Sequence, residues 1–131
     1  MLSRRSLLAM ATALPAAFCL TATSARAGEK FTLEALEAAQ KAGKSILVEV
    51  AAPWCPTCKA QQPIIEWLEK DAKFKDFVFL KLDFDSQKDE LRKLNARNQS
   101  TLIVFKGVNE VGRTVGDTNP DSIEALLAKA L

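Results

Sequence analysis

Two cysteines three residues apart form the most reactive pair of side chains in this sequence. Cys55 and Cys58 lie in the segment Trp54-Cys55-Pro56-Thr57-Cys58-Lys59, which follows an apolar run and begins a helical pattern. Cys55 is therefore expected at a helix N-terminus, where unpaired backbone N–H groups and the helix dipole stabilise a thiolate and lower its pKa. A thiolate is the nucleophile of disulfide exchange, and Cys58, one turn further on, can close a disulfide with it.

Three other uses of a C-x-x-C pair are less compatible with this chain. A structural disulfide between these cysteines would close a very short loop, so the unfolded chain would be little constrained by it. Zinc takes four ligands, and because the sequence has no histidine, a zinc site would need a second chain or an external ligand. A c-type haem site requires histidine where Lys59 stands. We interpret the pair as a redox motif, with a structural disulfide and a shared metal site as the remaining alternatives.

The first 27 residues predict a cleavable export signal. Arg4 and Arg5 precede an uncharged, Ala/Leu-rich stretch over residues 7–20, and Ala25-Arg26-Ala27 offers a small-residue cleavage site. The arginine pair fits either a Sec or a twin-arginine signal. An uncleaved membrane anchor is the alternative, although the apolar stretch is shorter than the ~20 residues that span a bilayer. We expect a periplasmic domain of residues 28–131.

Composition narrows the functions open to that domain. The full chain has 18 Lys+Arg and 16 Asp+Glu, and three of its arginines lie in the signal, so residues 28–131 carry a net charge of −1. This balance does not indicate a nucleic-acid partner. Cys19 leaves with the signal, and a domain with one close cysteine pair is not a disulfide-stapled scaffold. We expect a monomer without a bound cofactor.

Hydrophobic periodicity predicts helices alternating with strands, and then a closing hairpin and a last helix. Continuous apolar and β-branched runs predict strands buried on both faces, and alternation with helices implies parallel pairing. Pro63 is expected to kink the second helix. The predicted fold is α/β, with a central mixed sheet of about four strands and helices on both faces. Helices are expected over about 31–43, 55–73, 86–94 and 120–131, and strands over 45–51, 77–83, 101–106 and 110–115.

Several of these segments together resemble the thioredoxin superfamily. The resemblance covers nearly all of residues 28–131, and its motifs agree in spacing, helix proline and strand order. It implies a thioredoxin fold and thiol–disulfide exchange with protein substrates. The matching residues are Glu49-Val50-Ala51-Ala52-Pro53-Trp54-Cys55-Pro56-Thr57-Cys58-Lys59, Pro63, Lys81, Asp83, Asp85, Thr101-Leu102-Ile103-Val104-Phe105-Lys106 and Val115-Gly116.

The resemblance also implies roles for individual residues. Cys55 would be the exposed attacking cysteine and Cys58 the shielded resolving cysteine. Glu49 would accept the proton of Cys58, because burial would raise the pKa of this carboxyl; its alternative is an exposed strand-end residue paired with Lys81. Trp54 would shield the disulfide, and its alternative is core packing. The residues expected to contact substrates are Trp54, Pro56, Thr57, Ser100 and Thr101.

Two positions depart from the family pattern. Pro56-Thr57 replaces the Gly-Pro of ordinary thioredoxins and is closer to glutaredoxin-like pairs, which predicts a more oxidising potential. Ser100 stands where the family has a cis-proline facing the cysteines. A cis bond before a residue other than proline costs ~3 kcal/mol, so we predict a trans Gln99–Ser100 bond. In the family this loop pairs with the substrate backbone and keeps metals away from the thiols.

These features predict an exported thiol–disulfide oxidoreductase that acts on protein disulfides or dithiols, more as a reductant than as an oxidant. A reductant needs electrons from the cytoplasm, and a membrane thiol carrier would supply them. The alternative is a non-enzymatic binding module, or a protein holding a metal or an iron–sulfur cluster between two chains. The replacement at Ser100 favours that alternative, whereas the intact cysteine pair argues against it.

Overall fold

The computed structural model describes residues 29–131. These residues form a five-stranded mixed sheet with helices on both faces. The predicted export signal and its cleavage site lie outside the described residues. Within residues 29–131, no helix is both long enough and apolar enough to cross a bilayer. In chain order the elements are β1 (Glu29–Lys30), α1 (Leu33–Lys41), β2 (Ser45–Ala51), α2 (Pro56–Lys70), a 3-10 turn (Ala72–Phe74), β3 (Val78–Asp83), α3 (Lys88–Lys93), β4 (Thr101–Lys106), β5 (Asn109–Val115) and α4 (Pro120–Ala128).

The strands are ordered β1-β3-β2-β4-β5 across the sheet. β1 and β2 pair in parallel with β3, while β4 runs antiparallel to β2 and β5 antiparallel to β4. This arrangement confirms the mixed sheet with its antiparallel hairpin, but the expected number of strands was too low. The two exposed residues of β1 carry no apolar pattern, and only their pairing with β3 makes them a strand.

The central strand β2 separates two apolar cores because its side chains alternate between the faces of the sheet. Ile46, Val48 and Val50 pack with residues of α1 and α3, whereas Leu47 packs on the opposite face with residues of α2 and α4. All four side chains are buried, which confirms the prediction of a strand covered on both faces. The core that contains Leu47 therefore holds α2, whose N-terminus carries the cysteine pair, against the centre of the sheet.

Helix ends follow the local sequence signals at several positions. Thr32 caps α1 by accepting the N–H of Ala35, and Gly43 follows its end with a φ of +68°. Asn119 caps α4 in the same way, with Pro120 as the first helical residue. The prediction that α2 extends to about residue 73 was wrong. The helix ends earlier because Asp71 has extended backbone and its side chain caps the 3-10 turn that follows.

Candidate active site

The turn between β2 and α2 places both cysteines at the N-terminus of α2. Cys55 is the N-cap residue, with extended backbone, and Pro56 occupies the first helical position, where a missing N–H costs nothing. Cys58 donates its backbone N–H to Cys55 Sγ at 3.1 Å. The two cysteines form a disulfide, and their Cα atoms are 5.3 Å apart. Cys55 Sγ therefore occupies the position where free helical N–H groups stabilise negative charge on sulfur.

Both cysteines are buried in this disulfide-bonded state. Cys55 is only 1% exposed and Cys58 4%, so the expectation of an exposed Cys55 was wrong and that of a shielded Cys58 is confirmed. The reason is packing, because the pair lies in a small cluster with Ala51, Ala52 and Phe84. An attacking partner must therefore approach the sulfur of Cys55 through the residues that surround it.

Trp54 lies beside the disulfide and is held by the loop that follows β3. Its indole Nε1–H donates to Asp85 Oδ2 at 2.8 Å, and its ring meets the ring of Phe84 edge-on with centroids 6.3 Å apart. Asp83 Oδ1 accepts the N–H and the hydroxyl of Ser86 and also the N–H of Asp85, and these hydrogen bonds lower the pKa of Asp83. Trp54 is 54% exposed, so the core-packing alternative was wrong.

Glu49 is a buried carboxyl in the middle of the sheet. It is 8% exposed and lies opposite Lys81 in the β2–β3 register. Its Oε1 atom has no hydrogen-bond partner. Desolvation raises the pKa of Glu49, Lys81 lowers it through charge attraction, and Glu66 raises it through repulsion. The alternative of an exposed residue at the strand end was wrong, and the expected raised pKa is confirmed.

A cavity of about 530 Å³ connects the carboxyl of Glu49 with Cys58. Its lining includes Glu49, Cys58, Lys59 and Lys81, but not Cys55. Because a water molecule occupies about 30 Å³, the cavity has room for several. Water in it can connect Glu49 with Cys58. Among residues 29–131, no group of three or more His, Cys, Asp or Glu side chains could hold a metal ion.

The Ser100 loop meets β2 at Val50, close to Cys58. The described residues contain no cis peptide bond, so the Gln99–Ser100 bond is trans as predicted. Ser100 has a φ of +56°, in the left-handed region. Its N–H donates to Val50 O at 2.8 Å, and the same carbonyl oxygen lies 4.0 Å from Cys58 Sγ. A proline here would lack the N–H that makes this contact.

The five residues predicted to contact substrates differ in accessibility. Trp54 and Pro56 are exposed, and Thr57 is half-buried. Ser100 and Thr101 are buried, with hydroxyl groups that donate locally to Gln99 O and Asn98 O at 2.6 Å each. These two side chains shape the loop and present little surface to a partner.

Sequence reasoning missed Gln61, which joins this loop to α2. Its side chain is fully buried, and Nε2 donates to Ser100 O at 3.2 Å and to Asp117 O at 2.8 Å. The one available signal was a glutamine at a helix position whose neighbours one and two turns on, Ile65 and Leu68, are apolar and buried. Hydrophobic periodicity alone does not show which partners a buried amide would find.

A disulfide at the N-terminus of the helix that follows the central strand of a five-stranded mixed sheet defines a thioredoxin-fold thiol–disulfide oxidoreductase. The family model described as Thioredoxin matches residues 28–129. Thioredoxin of Echinococcus granulosus is 35% identical over 97 residues, covering 74% of this chain and 89% of its own length. Thioredoxin-2 of Saccharomyces cerevisiae is 38% identical over 85 residues, covering 65% and 79% respectively.

Solved structures are also similar to this chain in fold and sequence. The crystal structure of Trxlp from Edwardsiella tarda EIB202 has a TM-score of 0.75 at 35% identity and covers 77% of this chain and 98% of that chain. Thioredoxin NaTrxh from Nicotiana alata has a TM-score of 0.68 at 27% identity, covering 82% and 97%. The chain belongs to the thioredoxin family and is a thiol–disulfide oxidoreductase that uses the Cys55–Cys58 pair.

The backbone of Ser100 predicts that the family's proline will not fit here without rearrangement. In Ser100→Pro, the ring fixes φ near −65° and removes the hydrogen bond to Val50 O, so we expect the free energy of unfolding to fall by about 2–4 kcal/mol. Ser100→Gly keeps the N–H and accepts positive φ, and should change it by less than about 1 kcal/mol. Urea unfolding of both variants measures the difference. Equal midpoints for Ser100→Pro and the parent protein would contradict the prediction.

Proposed function

We propose that this chain is an exported thioredoxin that reduces disulfides in protein substrates. The observation that carries the proposal is the Cys55 sulfur at the N-cap of α2, 3.1 Å from the N–H of Cys58. In the reduced protein, the Cys55 thiolate attacks one sulfur of a substrate disulfide and displaces the other as a thiolate. A mixed disulfide between Cys55 and the substrate results.

The second step returns the protein to its disulfide form. Cys58 loses its proton, its sulfur attacks Cys55 Sγ, and the second substrate sulfur leaves as a thiolate that takes up a proton. The substrate has then gained two electrons and the Cys55–Cys58 pair has lost two. Glu49 accepts the proton of Cys58 through water in the shared cavity, because burial raises its pKa and makes it a stronger base than an exposed carboxylate.

The reducing direction is supported by relatives that are named thioredoxin. This chain is similar to them over most of their length. Pro56-Thr57 between the cysteines shifts the potential toward more oxidising values. Trp54 and Pro56 are exposed beside the disulfide and form the surface that a substrate meets first. The protein acts as a monomer, and a membrane thiol carrier donates the electrons that regenerate its dithiol.

Cys58→Ser should trap the substrate. The variant keeps the attacking sulfur but cannot resolve the intermediate, so a mixed disulfide with reducible insulin should accumulate, whereas Cys55→Ser should form none. Non-reducing electrophoresis and mass measurement detect the adduct. Trapping by Cys55→Ser instead would reverse the two roles.

Redox equilibration of the parent protein tests the direction. The expected potential is closer to the ~−270 mV of thioredoxin than to the ~−120 mV of a strong oxidant. A value near the latter would contradict the reducing role.

Glu49→Gln should slow the resolving step and change the pH dependence of stability. Loss of the base should lower the rate of resolution by roughly 10- to 100-fold, measured by rapid mixing with a preformed mixed disulfide. Because the pKa of Glu49 is raised, the native state keeps a proton that the unfolded chain loses above about pH 4.5, so native stability falls as pH rises toward the folded pKa. In urea unfolding, Glu49→Gln should lack this fall.

Glu37→Gln, an exposed change on α1, serves as the matched control and should retain the rate and the pH dependence of the parent protein. Equal rates for Glu49→Gln and Glu37→Gln would rule out the proton-acceptor role.

Export predicts a defined mature N-terminus. Expression of the full chain in a Gram-negative host should yield periplasmic protein that begins at Gly28, as mass measurement of the fractionated protein would show. Replacing Arg4 and Arg5 by lysine should block export if the signal is of the twin-arginine type and leave it intact for a Sec signal. Recovery of the full-length chain from the cytoplasm alone would overturn the localisation.

A further inference from the structure

Gln61 is an unusual residue for its position in α2. Its side chain is fully buried, one turn beyond Cys58, on the helix face that also buries Ile65 and Leu68. Oε1 of Gln61 has no hydrogen-bond partner, and a buried polar atom without a partner carries a cost in stability. An apolar side chain of similar size would fill the same space without this orphan oxygen. Packing alone therefore does not explain a glutamine here.

The side-chain amide of Gln61 acts as a hydrogen-bond donor to two backbone carbonyl groups. Nε2 hydrogen-bonds Ser100 O at 3.2 Å and Asp117 O at 2.8 Å. Both acceptors are backbone carbonyl oxygens, which cannot donate, so the NH₂ group must face them and the orientation of the amide is determined. Both amide hydrogens of this side chain are thereby directed at two separate loops, one before β4 and one after β5.

These two loops meet beside Val50, whose carbonyl oxygen lies 4.0 Å from Cys58 Sγ. Gly116, with a φ of +73°, donates its N–H to Ser100 O at 3.0 Å, and Ser100 itself has a φ of +56°. The left-handed region is unfavourable for a residue other than glycine, so surrounding contacts must hold Ser100 in this conformation. The main-chain hydrogen bond to Val50 holds the N–H side of Ser100, and Gly116 and Gln61 hold its carbonyl.

We propose that Gln61 is a positioning residue of the disulfide-exchange site, whose buried amide ties the loops at Ser100 and Asp117 to the helix that carries Cys58. The inference rests on the proposed function, because it assumes that protein substrates dock against these loops. Gln61 lies one helical turn beyond Cys58, so its position on α2 sets the distance between the cysteine pair and the two loops. Where a proline ring would stiffen the loop by covalent geometry, this chain uses a side-chain hydrogen-bond clamp.

The clamp predicts a specific kinetic effect for Gln61→Met. Methionine conserves volume and removes both donors, leaving Asp117 O without its Gln61 donor. The KM for insulin as a protein disulfide should rise at least about threefold, while kcat changes less than twofold, because docking is weakened and the sulfur chemistry is not. Reaction of the reduced protein with the small aromatic disulfide DTNB should stay within twofold of the parent protein, since that reagent needs only the Cys55 sulfur.

Gln40→Met provides the matched control. It makes the same chemical change on α1, which contributes no residue to the site, and should leave all three values unchanged. An unchanged KM for insulin in Gln61→Met would overturn the proposal. An equal loss of DTNB reactivity would also overturn it, because it would show a general disturbance of the site. Absence of insulin turnover in the parent protein would instead refute the proposed function.

Nuclear magnetic resonance of the unmodified protein tests the clamp even if Gln61→Met folds poorly. The side-chain amide protons of Gln61 should exchange with solvent at least about tenfold more slowly than those of Gln40. The amides of Ser100 and Gly116 should exchange at similar rates, because one clamp holds both loops. Fast exchange of the Gln61 side chain, or independent opening of the two loops, would contradict the proposal without reference to activity.

Discussion

The hydrogen bond from the Cys58 N–H to Cys55 Sγ is the interaction on which the site depends. It exists because β2 ends beside the start of α2, so that Cys55 becomes the N-cap residue and its sulfur takes the place of a capping oxygen. The same free N–H groups that begin the helix also favour the thiolate. The apolar core that joins Leu47 of β2 to Ile65 and Leu68 of α2 keeps that helix end in place.

The cysteine pair has a buried carboxyl near one of its residues and an exposed indole near the other. On the cavity side, Glu49 is desolvated with an unpartnered oxygen, and its pKa is raised although Lys81 lies opposite. On the outer side, Trp54 is exposed and anchored by Asp85. Glu49 lines the cavity together with Cys58, whereas Trp54 does not.

In the Ser100 loop, hydrogen bonds hold the backbone at the position where the family has a proline ring. Ser100 keeps an N–H that a proline would lack, and it uses that N–H to extend the contact with β2 at Val50. Its carbonyl is held twice, by Gly116 and by the amide of Gln61. These hydrogen bonds can open without the breaking of a covalent bond, whereas the restriction that a proline ring imposes on the backbone is permanent.

Local sequence determined the elements, the redox pair and much of the site, because periodicity, capping residues and the cysteine spacing act over a few residues. The strand at 45–51 and the trans bond before Ser100 could both be predicted in this way. The two-residue strand β1, the burial of Cys55 and the partners of Gln61 could not. Each depends on chain segments far apart in sequence, and only tertiary packing decides which of them meet.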